Sequence, residues 1–470
     1  LALSEGDLSD GYREGGETTA PDEAPGAAGS LTALFSVGAD EPLEITLSNN
    51  TSGLPTLFSK GDAITYSVSG NVLTATADAG GPDQRVVFTL TVNPDGAWSF
   101  DVKDQLDHVD NGVNDENYEL RTSADGSTSV GEIDFSSIIL GTDADGDSVT
   151  AAAGTFTVDV QDDVPGGDLS GTVTVHVDED NLSESDGDLS TGVVDADADT
   201  DEAIISSVPL SAAFRDGADE PVDVALEGGV SGNVKTTGGA DVKSQGDTVK
   251  WAVVDALHVV GFADTNGDSI WNNGEREVFR ITDNGDGTFT FDLKDQIDHA
   301  LASGDEVSLA LDLTVAFSVT DFDGDEVELG AGTIRVEVEN DVPVAAGSAT
   351  ASIRVDEDEL STASGDGSTG ITDGDADTDE ATFSSASLAA LVTPGADEPV
   401  DINLNGAVSG NVMTTDGTAV LSKGANVVWG TDGGALVGFV NIGGGAGFDL
   451  GVDREVFRVT DNGDGTFTFG

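Results

Sequence analysis

The chain has 470 residues, 90 of them acidic and 17 basic, for a formal charge of −73, and it has no cysteine. The charge excludes ordinary nucleic-acid binding, because a phosphate backbone would be repelled, and argues against docking on anionic membranes. The missing cysteines exclude disulfides, cysteine-ligated zinc and thiol catalysis.

Taken in order, the chain is punctuated by recurring landmarks. Ala2-Leu3-Ser4 resembles the stub of an acidic element that reads VDED, any residue, Leu, Ser at 177–183 and again at 355–361. The turn GADEP stands at 38–42, 217–221 and 395–399, at nearly equal intervals. An alternating strand, an Asp/Asn/Gly turn and a second alternating strand form RVVFTLTVNPDGAWSF at 85–100, REVFRITDNGDGTFTF at 276–291 and REVFRVTDNGDGTFTF at 454–469. Val278, Arg280 and Thr282 alternate with Phe279 and Ile281, the period of a half-buried strand. The DNGDG turn supplies residues that tolerate positive φ, so each stretch is predicted to be a β-hairpin.

KDQLDH (103–108) and KDQIDH (294–299) follow the first two hairpins. A long alternating stretch, 307–319, leads to Asp321-Phe-Asp323-Gly-Asp325, whose counterpart is Asp143-Ala-Asp145-Gly-Asp147. DDVP at 162–165 and NDVP at 340–343 close the units. Low-complexity acidic stretches occupy 195–202 and 373–380.

Short strands separated by Gly, Asn and Asp turns, with no convincing amphipathic helix, predict an all-β protein of tandem β-sandwich repeats, Ig- or cadherin-like. The repeat is about 178 residues long, and a parallel β-helix would need a much shorter one. Repeat boundaries are expected at 1–166 (truncated at its N-terminus), 167–344 (complete) and 345–470 (truncated at its C-terminus). No run of about 18 apolar residues is present to span a bilayer as a helix.

A compact state at this charge needs an offset: bound divalent cations, high salt or disorder. Disorder is disfavoured, because the 37% of apolar residues fall in alternating strands. Clustering of acids in loops points to cations. In the loop 264–275, Asp264, Asn266, Asp268, Ile270, Asn272 and Glu275 take positions 1, 3, 5, 7, 9 and 12 of a twelve-residue calcium loop. Ser269 replaces the usual Gly at position 6, and the flanks read as strand rather than helix. Asp143, Asp145 and Asp147, and likewise Asp321, Asp323 and Asp325, alternate around a Gly and can wrap one Ca2+. The closing acids Asp159, Asp162 and Asp163 and the opening acids Asp178, Glu179 and Asp180 could share an ion at a junction or form a solvated hinge. Glu337, Glu339 and Asp341 stand in the same relation to Asp356, Glu357 and Asp358. The hairpin tips are good turns without metal, and the glycine-rich loop 441–453 is a degenerate one. His108 and His299 read as structural turn residues rather than zinc ligands. Trp251 and Trp429 fall near matching positions, which suggests core packing. No nucleophile elbow or phosphate-cradling glycine loop is present, so an enzyme is not expected.

As a set, VDEDxLS, GADEP, the REVFRxTDNGDGTFTF hairpin, DxDGD and DVP resemble the large repeats of bacterial type I secretion targets, the repeats-in-toxin-like giant surface adhesins. The resemblance implies a secreted, cell-surface protein that folds around calcium outside the cell. Its expected role is a non-enzymatic extender, and its expected partners are calcium and glycans or other cell-surface or matrix components. The alternative is a carbohydrate- or surface-binding β-sandwich module.

Overall fold

The computed structural model describes all residues except 10, 13–20, 111–116, 168–170, 195–199, 207–209, 211–212, 216, 273, 301–306, 328, 375, 377 and 398. Most of the acidic stretch 195–202, and Asp375 and Asp377 of the stretch 373–380, therefore lie outside the described residues. The protein is all-β, with short 3-10 turns and a five-residue helix, Ser385–Ala389, among many strands. No helix of the described residues is long and apolar enough to cross a membrane. The chain forms two compact units, Leu1–Val177 with Asp199–Asp298 and Ser308–Val338, and Asp178–Ala198 with His299–Val307 and Glu339–Gly470.

In the first unit, the antiparallel sheet Glu23–Gly26, Trp98–Val102, Arg85–Val92, Val72–Ala77, Thr65–Ser69 faces two three-stranded sheets. One is Ser148–Thr150, Ile139–Thr142, Glu44–Leu47. The other is Ala2–Ser4, Thr157–Gln161, Ile133–Asp134, in which Ala2–Ser4 runs parallel to its neighbour, Ala2 beside Asp159. Alternation drives this arrangement. Leu73, Phe88, Leu90 and Phe100 point inward to meet Leu3, Ile45, Phe135, Ile139 and Val158, all fully buried in one core. Phe135 lies edge-on to Phe88 at 6.0 Å, geometry that aromatic pairs favour.

The same unit holds a six-stranded sheet, Glu202–Ser206, Thr288–Leu293, Arg276–Asp283, His258–Ala263, Asp247–Asp255, Lys243–Ser244. The predicted hairpin 276–291 is here, with Ile281 opposite Phe291 and Asp283 opposite Phe289. Phe289 meets Phe317 of the strand Phe317–Thr320 edge-on at 5.0 Å. Trp251 is 3% exposed and packs edge-on against Phe279. Trp429 does the same against Phe457 in the second unit, whose five-stranded sheet contains the third hairpin.

Simple alternation fails at one place. It puts Val278 on the polar face with Arg280, yet Val278 is fully buried beside Phe279. The register with His258–Ala263 slips at that point, a β-bulge that turns two successive residues inward. The first hairpin has the same slip at Val87 and Phe88, both fully buried. The carbonyl freed at each bulge receives two amides of the KDQ segment. Lys103 and Asp104 donate to Val87 at 2.7 and 3.2 Å, and Lys294 and Asp295 donate to Val278 at 2.7 and 3.1 Å. The bulge thus fixes where the KDQxDH segment leaves its sheet.

Candidate metal centre

That exit delivers Gln105, Asp107 and His108 to a buried cluster of acids in the first unit. Glu5 comes from the turn after Ala2–Ser4, Asp162 from DDVP, Asp219 from GADEP, and Asp321, Asp323 and Asp325 from the second DxDGD loop. All six acids are at most 5% exposed. Suitable ligand atoms of Glu5, His108 and Asp162 lie within 4.8 Å of one another, and so do those of Asp162, Asp323 and Asp325, so Asp162 belongs to both groups.

Backbone and side-chain donors hold each of several acids by one oxygen. The Leu106 amide donates to Glu5 Oε1 at 2.7 Å, the His108 amide to Asp323 Oδ2 at 2.7 Å, and Gln105 Nε2 to Asp219 Oδ1 at 2.9 Å. The Gly61 amide donates to Asp107 Oδ2 at 2.9 Å. The amides of Gly324 and Asp325 both donate to Asp321 Oδ1, at 3.0 and 2.8 Å. The opposite oxygens, Glu5 Oε2, Asp107 Oδ1, Asp219 Oδ2, Asp321 Oδ2 and Asp323 Oδ1, are buried without a hydrogen-bond donor, as are Asp162 Oδ1 and Gln105 Oε1.

The resident positive charge is small. His108 presents Nδ1 to the Leu106 carbonyl at 2.9 Å and Nε2 to the Val160 carbonyl at 3.1 Å. Both ring nitrogens therefore face carbonyl oxygens, and neither is free to ligate a metal. Nδ1 also lies 3.2 Å from Asp162 Oδ1. The Arg121 guanidinium donates to the Asp323 carbonyl. Against these two stand the carboxyls of Glu5, Asp107, Asp162, Asp219, Asp321, Asp323 and Asp325. Burial holds the Glu5, Asp162 and Asp219 carboxyls well above their ordinary range, with neighbouring acids adding to it. Burial, then Asp323 and Asp325, pushes Asp321 up to about 9. Burial also raises Asp107. Burial thus disfavours the charged form of these acids when no cation is present.

The donor set fits a hard divalent cation. Calcium takes six to eight oxygens, and the partnerless atoms are all carboxylate or amide oxygens, with no sulfur and no available imidazole nitrogen. Asp163 has a separate task. Its Oδ2 accepts the amides of Tyr12 at 2.8 Å and Ala218 at 2.6 Å, tying the first turn of the chain to GADEP. In the second unit Asp341 does the same for Val193 at 3.0 Å and Ala396 at 2.6 Å. There His299 Nδ1 lies 3.6 Å from buried Glu179.

The other two predicted sites stay near the surface. Asp143 and Asp145 come within 4.8 Å of Asp40 of GADEP, and Asp147 turns its amide to Asp143 Oδ1 at 2.9 Å without joining that trio. In the loop 264–275, oxygens of Asp264, Asp268 and Glu275 converge within 4.8 Å. Ser269 takes the left-handed φ of 62° in place of the usual glycine. Asn266 Oδ1 accepts the Asp268 amide at 2.8 Å, and the Ile270 carbonyl accepts Asn272 Nδ2 at 2.7 Å. Lys250 Nζ sits 2.7 Å from Asp264 Oδ2 and 2.6 Å from Ser269 Oγ.

Sequence spacing points to Asp321, Asp323 and Asp325, and to Asp162 as a junction acid. It does not point to Glu5, Gln105, Asp107 or Asp219, and it assigns His108 only a turn. The available signal is recurrence: KDQxDH and GADEP repeat the same polar residues at fixed spacing.

A family model described as a domain of unknown function (DUF5801) matches residues 15–155. The match takes in the first GADEP turn, the first hairpin, KDQLDH and Asp143, Asp145 and Asp147. No curated protein matches the chain.

Proposed function

We propose that the chain is a non-enzymatic, calcium-stabilised extender segment of a secreted or cell-surface bacterial protein. One observation carries this reading: the cluster around Asp162 gathers buried acids whose free oxygens have no donor. Burying unpaired carboxylates costs several kcal/mol each, so the cluster is far more stable around a cation than without one. Its members come from both ends of the sandwich Ala2–Gln161 and from the GADEP and DxDGD segments that follow, so a cation there ties successive β-elements together. Such a cation stiffens a string of domains. The charge of −73 fits the same role, favouring an extended chain where calcium is scarce and collapse around the ion where it is abundant.

The packing of Trp98, Trp251 and Trp429 against Phe156, Phe279 and Phe457 favours the extender over the carbohydrate-binding alternative, because it takes three of the four indoles away from any stacking platform. The resemblance to type I secretion targets supports export to the cell surface. Calorimetry of the full chain tests the reading. At calcium about 1,000-fold above Kd, ligand linkage adds about 4 kcal/mol, which lowers Tm by roughly 8–16 °C when EDTA removes the ion. A Tm unmoved by excess EDTA overturns it.

A further inference from the structure

The loop 264–275 has the spacing of a calcium loop, but the structure assigns it another cation: we infer that the ε-ammonium of Lys250 serves as the counter-ion that closes this loop, which is therefore ordered without divalent metal. Lys250 stands in the strand Asp247–Asp255, next to the strand that feeds the loop, opposite Phe262. Its Nζ reaches Asp264 Oδ2 at 2.7 Å and Ser269 Oγ at 2.6 Å, joining the first position of the loop to the sixth. The Asp264 side chain is 2% exposed and Lys250 18%, so the contact is sheltered from water. The hydrogen bond to Lys250 is the main reason the Asp264 carboxyl sits below its ordinary range. A lysine ammonium is a compact point charge on a flexible stem, suited to this substitution.

The other carboxylate oxygens are also engaged, except Glu275 Oε1, which is buried without a donor. Asp264 Oδ1 accepts the Gly267 amide at 2.7 Å, Asp268 Oδ1 the Ile270 amide at 2.8 Å, and Glu275 Oε2 the Asn272 amide at 3.0 Å. Asn272 Nδ2 donates to Asp268 Oδ2 at 3.1 Å. The donors that fold this loop are its own amides plus one ammonium, and one buried oxygen is left without a donor, against seven in the cluster around Asp162.

A second, independent observation comes from the matching strand of the other unit. Asn233 bridges to Lys250, and at the equivalent place in the next repeat Asn411 bridges to Val428. Where the lysine is replaced by valine, the loop that follows is NIGGGAGFDLGVD, with Asn441 and Gly445 in place of the acids at positions 1 and 5. Between these two repeats the lysine and both acids change together, whereas in the first repeat Asp78 stands at the first loop position with Thr65 in the place of the lysine.

Hydrogen exchange on the full chain tests this, read separately at 264–275 and at 103–108 with 321–325. Wild-type protection at 264–275 is expected to be the same in calcium and in EDTA, whatever happens at the buried cluster. Lys250→Met is expected to lose about tenfold protection there in EDTA, to regain it in calcium, and to bind one more Ca2+ per chain by equilibrium dialysis. Loss of protection at 264–275 in the EDTA-treated wild type overturns the inference. So does a Lys250→Met chain that keeps full protection in EDTA. If Lys250→Met also loosens the hairpin 276–293, the variant has failed to fold. The wild-type comparison then decides alone, retained protection supporting the inference and lost protection ending it. Failure of the calcium reading itself shows at 103–108 and 321–325 and is therefore distinguishable.

Discussion

Asp143-Ala-Asp145-Gly-Asp147 and Asp321-Phe-Asp323-Gly-Asp325 are the same motif in two surroundings. Their internal geometry is nearly identical. In each, the first aspartate's amide donates to the last aspartate's carbonyl at 3.0 Å. In each, the first carboxylate accepts the amides of the Gly and the last Asp. Each also leans on its GADEP turn, Ala144 donating to the Asp40 carbonyl at 3.1 Å and Phe322 to the Asp219 carbonyl at 3.0 Å. Yet Asp145 and Asp147 are exposed and Asp143 is only half-buried, whereas Asp321, Asp323 and Asp325 are buried. The difference lies in what covers them. The second loop lies under His108 and Asp162, and Phe322 seats its ring over Gly61, whose positive φ leaves the backbone bare. A local motif therefore shapes the loop, and its neighbours decide whether the acids are buried.

Three experiments probe the two loops against each other. The greatest loss is expected from removing one acid of each loop in calcium. Asp323→Ala should cost about 3–5 kcal/mol, the scale for breaking a buried charge pair, and Asp145→Ala less than about 0.5 kcal/mol. Urea unfolding of both variants measures this, and equal losses would end the distinction. In EDTA the sign for Asp323→Ala should reverse, because the variant then removes an uncompensated buried acid.

The second experiment is pH dependence without divalent cations. Asp321 has a folded-state pKa of about 9 against 3.8 for the free side chain, so between those values the folded chain holds more protons than the unfolded one. Stability from this group is fully present at acid pH and falls by roughly 1.4 kcal/mol per unit as pH rises through the window. Glu5, Asp162 and Asp219 are shifted in the same direction. Calcium needs the deprotonated acids, so its stabilising effect should grow with pH. Thermal melts from pH 5 to 8, with and without calcium, read both trends, and a metal-free chain that gains stability with pH contradicts the buried cluster.

The most modest change concerns the covering residue. Phe322→Ala should cost about 1–2 kcal/mol, less than a fully buried phenylalanine because the ring is half-exposed, and Ala144→Phe should change stability by less than about 0.5 kcal/mol. Chemical denaturation of the two variants reads the difference. Matching changes at both positions would mean that the ring does not hold the cover in place.

Much of this is legible in the sequence. Period-two alternation and DNGDG identify the hairpins, because strand faces and turns are set within a few residues. The convergence of Asp264, Asp268 and Glu275 is also readable from spacing. The bulge at Val278 is not, since one extra residue leaves the apolar pattern intact while turning a side chain to the other face. Nor is the cluster around Asp162. Glu5 and Asp323 come from opposite ends of the first unit's sequence, and only packing of separate sheets brings them together. Lys250 is invisible for the same reason, because a cross-strand neighbour has no fixed spacing from a loop.

The parallel pairing of Ala2–Ser4 with Thr157–Gln161 has a mechanical meaning. The first strand enters the sandwich and the second leaves it toward Pro165, side by side and pointing the same way. Tension applied along the chain pulls the entry strand backward and the exit strand forward. Their rungs, Ala2 to Asp159, Leu3 to Val160 and Ser4 to Gln161, are then loaded together in shear rather than peeled one by one. Glu5 and Asp162 follow directly after these strands, so the acidic cluster sits beside the rungs that such a load would shear.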